Sequence, residues 1–270
     1  LLFSPPQGVN GIVPPGILRR HIIRHPLALW ISRLDAHAIL DAEDRSIILK
    51  LPVSMRTYDG SGDVFCQGVR PEVVAFLTRG YTVGQLTDDD GKGQILSLGI
   101  PGDALGLEHL YLREADYGTR VLGTAEVALV SRRDLADLAS QRPAIAQAFA
   151  VSQAIDAAIT REWLRNVGSR DGLRRIAHFL CEFACRIDAR GLKTDDCYEL
   201  PLSQQQIGRA TGMTAVHVNR MLKTLHTAGL IERSWRNVRF PRWDRLREIA
   251  GFSDAYLHAG APVAGAPARA

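Results

Sequence analysis

Half of the chain's 24 glycines lie between Gly60 and Gly123, and none occurs for more than thirty residues after Ser131. That partition constrains the fold more than any other feature. In the first stretch, glycines punctuate the short apolar runs VVAFL, ILSLGI and VALV, as tight reversals punctuate strands. DDDGKG at 88–93 supplies the local hydrogen bonds and positive φ of a sharp turn. This spacing predicts a small antiparallel sandwich or barrel and not an alternating parallel sheet. The glycine-free stretch predicts helix, so the chain reads as α+β, with the sheet first and the main helices after it.

Pro26 and the following LALWISRLDAHAIL place Leu27, Trp30, Ile31, Leu34 and Ile39 at helical spacing, and a second short helix covers Ala42 to Leu49. Ser140 as a cap and Pro143 in the first turn predict a long helix running to about Val167. Ile145, Ala148, Ser152, Ile155, Ile159 and Trp163 fall near its 3,4 repeat, which predicts the seam of a parallel dimer. Leu173, Ile176, Ala177, Leu180, Ala184 and Ile187 line the core side of the next helix, capped by Asp171 or Ser169 and stopped at Gly191. The expected organisation is a flexible basic lead at 1–25, a sheet domain with flanking helices at 26–139, a dimerisation helix at 140–168, a second domain at 169–252 and a flexible tail at 253–270. A chain of 270 residues has enough length for two modest domains, each with its own core.

Residues 202–250 read as helix, tight turn, helix, hairpin, helix. Ser203 caps the first helix, and Gln206 three residues on closes a capping box. Gly208 permits close approach of the second helix, Gly212 ends the first in the left-handed conformation, and Thr214 caps the second. Val218, Met221, Leu222 and Leu225 form the buried stripe. Ala215, Val216, Asn219 and Arg220 are then left near the exposed N-terminal end, the part of a recognition helix that enters the major groove. Arg220 suits a bidentate pair to guanine, Asn219 an adenine or a phosphate, and Val216 a thymine methyl. Ser203, Gln204, Gln205, His217 and Lys223, together with Arg233, Arg236 and Arg239 of the hairpin wing, are placed for phosphates, where they fix register.

Charge agrees with that placement. Between Pro201 and Ala250 nine basic residues face three acidic ones, a local +6 in a chain whose total is +4. A compact basic segment favours a polyanion by releasing the counterions condensed on its phosphates, so double-stranded DNA is the expected partner. Cys66, Cys181, Cys185 and Cys197 are scattered in a chain with neither a secretion signal nor an 18-residue apolar run, which reads as reduced thiols in the cytoplasm and no membrane span. Cys66, Cys181 and Cys185 are candidate redox thiols. Two thiols four apart do not close a metal site, and neither metal nor cofactor is expected. No G-x-S-x-G, no phosphate loop with a lysine and no spaced metal ligands mark an enzyme.

These residues resemble the Crp/Fnr family of bacterial transcription regulators over about residues 40–252. Ser203, Ile207, Gly208, Gly212, Thr214, Val218 and Arg220 line up without gaps on the family's helix-turn-helix pattern. The first half is similar in G-D-x-F-x-x-G at Gly62 to Gly68 and in P-G-D-x-x-G-L-E at Pro101 to Glu108. The resemblance implies an N-terminal antiparallel β-roll sensor domain (cyclic-nucleotide-binding-like, jelly-roll), a long dimerisation helix and a C-terminal winged helix-turn-helix. It also implies a homodimer on palindromic promoter DNA, with RNA polymerase as a further partner.

Two departures bear on the signal and the site read. Val216 stands where the family commonly has a Glu that accepts from cytosine. Ala115 and Asp116 stand where cyclic-nucleotide members carry Arg and Ser, so Arg113 or Arg120 would have to compensate for an aspartate facing a cyclic phosphate. Cys66 alone precedes residue 181, too few thiols for the iron-sulfur cluster of the oxygen-sensing branch. His109 and His37 are the candidates for a haem ligand. The reading is a regulator without cluster or cyclic nucleotide, its small-molecule effector unassigned. The alternatives are a cyclic-nucleotide- or haem-responsive regulator, or a ligand-binding module whose winged domain contacts protein.

Overall fold

The computed structural model describes residues 25–38, 40–60, 62–87, 93–234 and 236–258. The basic lead before His25, Ile39, the DDDGK of the expected turn at 88–92 and the tail after His258 lie outside the described residues.

Two helices lead in, α1 (Ala28–His37) and α2 (Ala42–Leu49); α2 is closed by a reciprocal Asp41–Asp44 capping box. The sheet follows as β1 (Ser54–Tyr58), β2 (Asp63–Phe65), β3 (Val73–Thr87), β4 (Gly93–Gly99), β5 (Ala104–Leu105) and β6 (Gly118–Ser131), in the order β1-β6-β3-β4, with β2 on β6 and β5 on β3. All pairs are antiparallel. The long strands β3 and β6 curl where their register shifts near Gly80, whose φ is +81°; a Cβ there would lie 2.3 Å from the Thr124 carbonyl oxygen. Three helices come next, α3 (Arg132–Gln141), α4 (Pro143–Ser169) and α5 (Gly172–Ala189). The C-terminal part comprises β7 (Tyr198–Glu199), α6 (Gln204–Thr211), α7 (Ala215–Thr227), β8 (Glu232–Ser234), β9 (Asn237–Arg239) and α8 (Trp243–Ala250), with sheet order β7-β9-β8.

Several expected boundaries move. Ser140 does not cap the long helix: it sits in the last turn of α3, its hydroxyl donating to the Asp137 carbonyl, and the extended Arg142 breaks the chain before Pro143 starts α4. Of the two caps offered for α5, Asp171 is the one used, accepting from the Leu173 and Arg174 amides at 3.0 Å. The tail expected to be flexible from Ser253 is packed as far as His258: Leu257 is buried, and the Tyr256 hydroxyl donates to Glu182 at 2.7 Å.

One core fills the space between α1, α3, the first turns of α4 and one face of the sheet, around Trp30, Phe76 and Phe149. The C-terminal part does not keep a core to itself. Ile176, Leu180, Ile207, Val218, Leu225 and Val238 join one apolar cluster with Ile155, Ile159 and Trp163 of α4, with Val83, Ile95 and Leu98 of the sheet and with Ile100 just after β4. Burying that shared surface holds the two halves together.

The six residues expected at a dimer seam are therefore turned inward. Ile145, Ala148, Ser152, Ile155, Ile159 and Trp163 are all buried within the protomer, and Trp163 donates its indole N–H to Glu182 at 2.7 Å. The face of α4 left outside carries Gln147, Ala150, Ala154, Ala157, Arg161 and Leu164, itself a strict 3,4 repeat.

Charged groups reinforce the junction. Asp103, in the turn before β5, accepts from Arg33 of α1 at 3.1 Å, from Arg186 of α5 at 2.8 Å and from its own Ile100 amide at 2.9 Å; Arg190 stands at 3.6 Å. Arg33 also donates to Asp156 of α4. Burial alone would raise the Asp103 carboxyl, but Arg33, Arg186 and Arg190 hold it below the usual carboxylate range.

Two histidines lie in the same body. Burial pushes His37 down to about 4, with Arg33 and Arg190 adding to the effect, and burial pushes His178 down to about 4, with Arg170 adding. An unfolded histidine takes a proton near pH 6.5, so between there and about pH 4 the unfolded chain binds protons that the native state refuses. Native stability is expected to hold above about pH 6.5 and to fall as pH drops toward 4. Urea midpoints measured across that window check this. His37→Gln and His178→Gln should each flatten the decline, and an undiminished slope in both would refute the assignment.

Candidate nucleic-acid interface

α6 and α7 are set by local hydrogen bonds that the side chains dictate. The Ser203 hydroxyl accepts from the Gln206 amide at 3.2 Å, and the Gln206 side chain accepts from the Ser203 amide at 2.8 Å. Gly212 ends α6 at φ +65°, and Thr214 caps α7 by accepting from the His217 amide at 3.2 Å. A Cβ on Gly208 would lie 2.4 Å from the Met213 carbonyl oxygen and 3.6 Å from the Ala215 nitrogen, so the closest approach there is to the turn that leads into α7, with the first residue of α7 next. Behind the pair, Arg175 of α5 donates to the Thr211 carbonyl at 2.9 Å, tying the end of α6 to the helix beneath it. Val218, Leu222 and Leu225 are buried, and Met221 packs partly buried beside them.

With that stripe inward, Val216, Asn219, Arg220 and Lys223 of α7 are exposed, and Ala215 is half-buried. Val216 shows 81% of its surface, an unusual exposure for an aliphatic side chain. Ser203 and Gln205 at the start of α6 and Arg236 and Arg239 of the wing also lie at the surface, while Gln204 and Arg233 are half-buried. Burial lowers the pKa of the Arg233 guanidinium. His217 departs most from its expected place: a Cβ on Gly172 would lie 2.7 Å from its Nε2, so the imidazole sits back over the start of α5. Gln204 also departs, because its amide donates to Asn219 Oδ1 at 3.2 Å. The spacing of Gln204 and Asn219 could have suggested that pair once both helices were placed.

The sheet half offers a different environment. Ala115 is fully buried, Asp116 is exposed, and Tyr117 donates its hydroxyl to Glu108 at 2.7 Å while Gln153 of α4 reaches the other Glu108 oxygen at 3.4 Å. A Cβ on Gly84 would lie 2.9 Å from the Tyr117 ring, so this ring packs against β3 at Gly84. Arg120 is committed to Asp63, at 2.8 and 3.2 Å, and Arg113 is exposed. His109 is buried edge-on to Phe65, and burial lowers its pKa. Burial also raises the Cys181 thiol and pushes Cys185 up to about 11, so neither is a thiolate near neutrality, whereas Cys66 is exposed. Among the described residues no helix is long and apolar enough to cross a membrane.

Residues 174–249 match the family described as Crp-like helix-turn-helix domain. The chain is 26% identical over 167 residues to the transcriptional regulatory protein Btr of Bordetella pertussis, covering 62% of this chain and 69% of that one. It is 27% identical over 176 residues to the cAMP-activated global transcriptional regulator CRP of Escherichia coli, covering 64% and 83% respectively. Among solved structures, FixK2 from Bradyrhizobium japonicum shares the fold with a TM-score of 0.70 at 24% identity, over 75% of this chain and all of that one.

Proposed function

We propose that this chain, whose residues 174–249 match the Crp-like helix-turn-helix family and which is similar to Crp-type transcription regulators, is a regulator of the Crp/Fnr type that reads palindromic promoter DNA as a homodimer, without an iron-sulfur cluster or a cyclic nucleotide. The observation that carries this is the capped α6–α7 pair, which presents Val216, Asn219 and Arg220 together on an exposed helix face within the basic segment. The relatives are transcription regulators and not enzymes. The same reading makes RNA polymerase a partner and the cytoplasm the place of action. The outward 3,4 repeat of α4 supports the dimer, since alanines at 150, 154 and 157 allow two helices to approach closely.

The surroundings of Tyr117, between β3 and α4, support the effector-free part. Tyr117 occupies space there, and Glu108 faces it with a carboxylate that would repel a cyclic phosphate. Of the two arginines offered for compensation, Arg120 is held by Asp63 and Arg113 is exposed.

Selection of bound sequences from a random duplex pool, with purified reduced protein and nothing added, tests the proposal. Enrichment of a palindrome is expected. Arg220→Ala should weaken the selected site by about 1–3 kcal/mol and blur one column of it, leaving non-specific binding nearly intact. Equal loss on every sequence would make Arg220 a phosphate contact. Non-specific, salt-sensitive binding without enrichment would show that a signal must first act on the sheet half.

A further inference from the structure

Asn219 stands on the second turn of α7, on the face proposed to meet DNA, and its side chain is not unattached. Gln204, at the first position of α6, donates through Nε2 to Asn219 Oδ1 at 3.2 Å. The base of Gln204 is fixed in turn, because the Ser203–Gln206 capping box defines the start of α6 immediately before and after it. An asparagine that reads adenine uses both ends of its amide, accepting from N6 with Oδ1 and donating to N7 with Nδ2. Here one lone pair of the oxygen is already engaged by a donor from the protein, which draws Oδ1 toward α6 and favours the NH2 group as the end offered to a base.

We infer that Gln204 is a specificity-determining residue that acts through Asn219, holding its amide so that it donates to a base edge dominated by acceptors, guanine or thymine, and does not make the bidentate pair to adenine. Gln204 is then a positioning residue and not a phosphate contact. The inference rests on the DNA-reading function proposed above. It explains why a residue outside the recognition helix governs what that helix reads. It also yields a reversal. A glutamate at 204 has no hydrogen to donate at neutral pH, so it can only accept from Asn219 Nδ2. Such an acceptor turns the amide over and presents Oδ1 outward, toward the exocyclic amino group of adenine or cytosine.

The test is duplex selection with the full-length chain, comparing wild type, Gln204→Glu, Gln204→Ala and Asn219→Ala. Wild type should favour guanine or thymine at the Asn219 position. Gln204→Glu should shift the preference there toward adenine or cytosine by about tenfold, a typical size for one base contact, and Gln204→Ala should flatten it nearly as far as Asn219→Ala does. The remaining positions of the site should keep their preferences. Thermal midpoints should stay put, since Gln204 is only half-buried and a carboxylate suits a helix start. A wild-type preference for adenine, or a column indifferent to both Gln204 variants, overturns the inference while leaving site-specific binding established. Absence of any enriched site in the wild type would instead overturn the function on which it rests.

Discussion

Replacing Asp103 with alanine is expected to lower unfolding stability by about 3–5 kcal/mol, the usual cost of removing one partner from a buried ion cluster. Asp103 is only 6% exposed and is shared by Arg33 and Arg186, with Arg190 at 3.6 Å. Alanine would leave one buried and two half-buried guanidinium groups with Asp156 and Glu182 as their remaining acidic neighbours. Most of the loss is then the penalty of uncompensated charge and not the worth of the contacts themselves. Urea unfolding measures it, and a double-mutant cycle with Arg186→Ala separates the two contributions. The coupling should be sizeable, of order 0.5–3 kcal/mol, because the two groups are in direct contact. A loss below about 1 kcal/mol would mean that water reaches the arginines and that the junction is held by its apolar cluster alone. The same cluster joins α1, the turn before β5, α4 and α5, so the variant should also loosen the C-terminal part from the sheet.

The helix-turn-helix was legible in the sequence because its determinants are local. Ser203, Gln206, Gly212 and Thr214 each act within four residues, and a capping side chain or a left-handed glycine does the same thing in any context. The antiparallel sheet was legible from the glycine spacing for the same reason. What depended on long-range packing was not. The apolar stripe of α4, Ile145 to Trp163, looks like a dimer seam because hydrophobic periodicity reports that a face is buried and not against what. The outward repeat of Ala150, Ala154 and Ala157 gives almost no hydrophobic signal, so the stronger stripe concealed it. Likewise Asp103 lies 70 residues after Arg33 and 83 before Arg186, a separation that hides the cluster, and the packing of Tyr256 against Glu182 made the start of an expected flexible tail part of the core.

Substituting glutamate for Ala154 is expected to turn the proposed dimer into a monomer while leaving the protomer folded. Ala154 is exposed in the protomer, so the new carboxylate costs little there, and glutamate is a good helix former. In a parallel pair of helices each Ala154 lies near its own counterpart, where two carboxylates would repel each other and need more room than two methyl groups. Leu164, 74% exposed one and a half heptads further along the same face, would lose the contact that removes it from water. Sedimentation equilibrium should give a monomer, with an unchanged thermal midpoint. Affinity for a palindrome should drop by about 10²–10⁴-fold, because the second half-site no longer binds at the effective concentration that linkage provides. The control is Ser152→Glu, on the inward stripe: it places a charge in the buried body of the protomer and should depress the thermal midpoint itself. If Ala154→Glu stayed dimeric with full affinity while the protein remained folded, the contact between protomers would have to lie on another surface, and the outward alanines of α4 would serve only the helix.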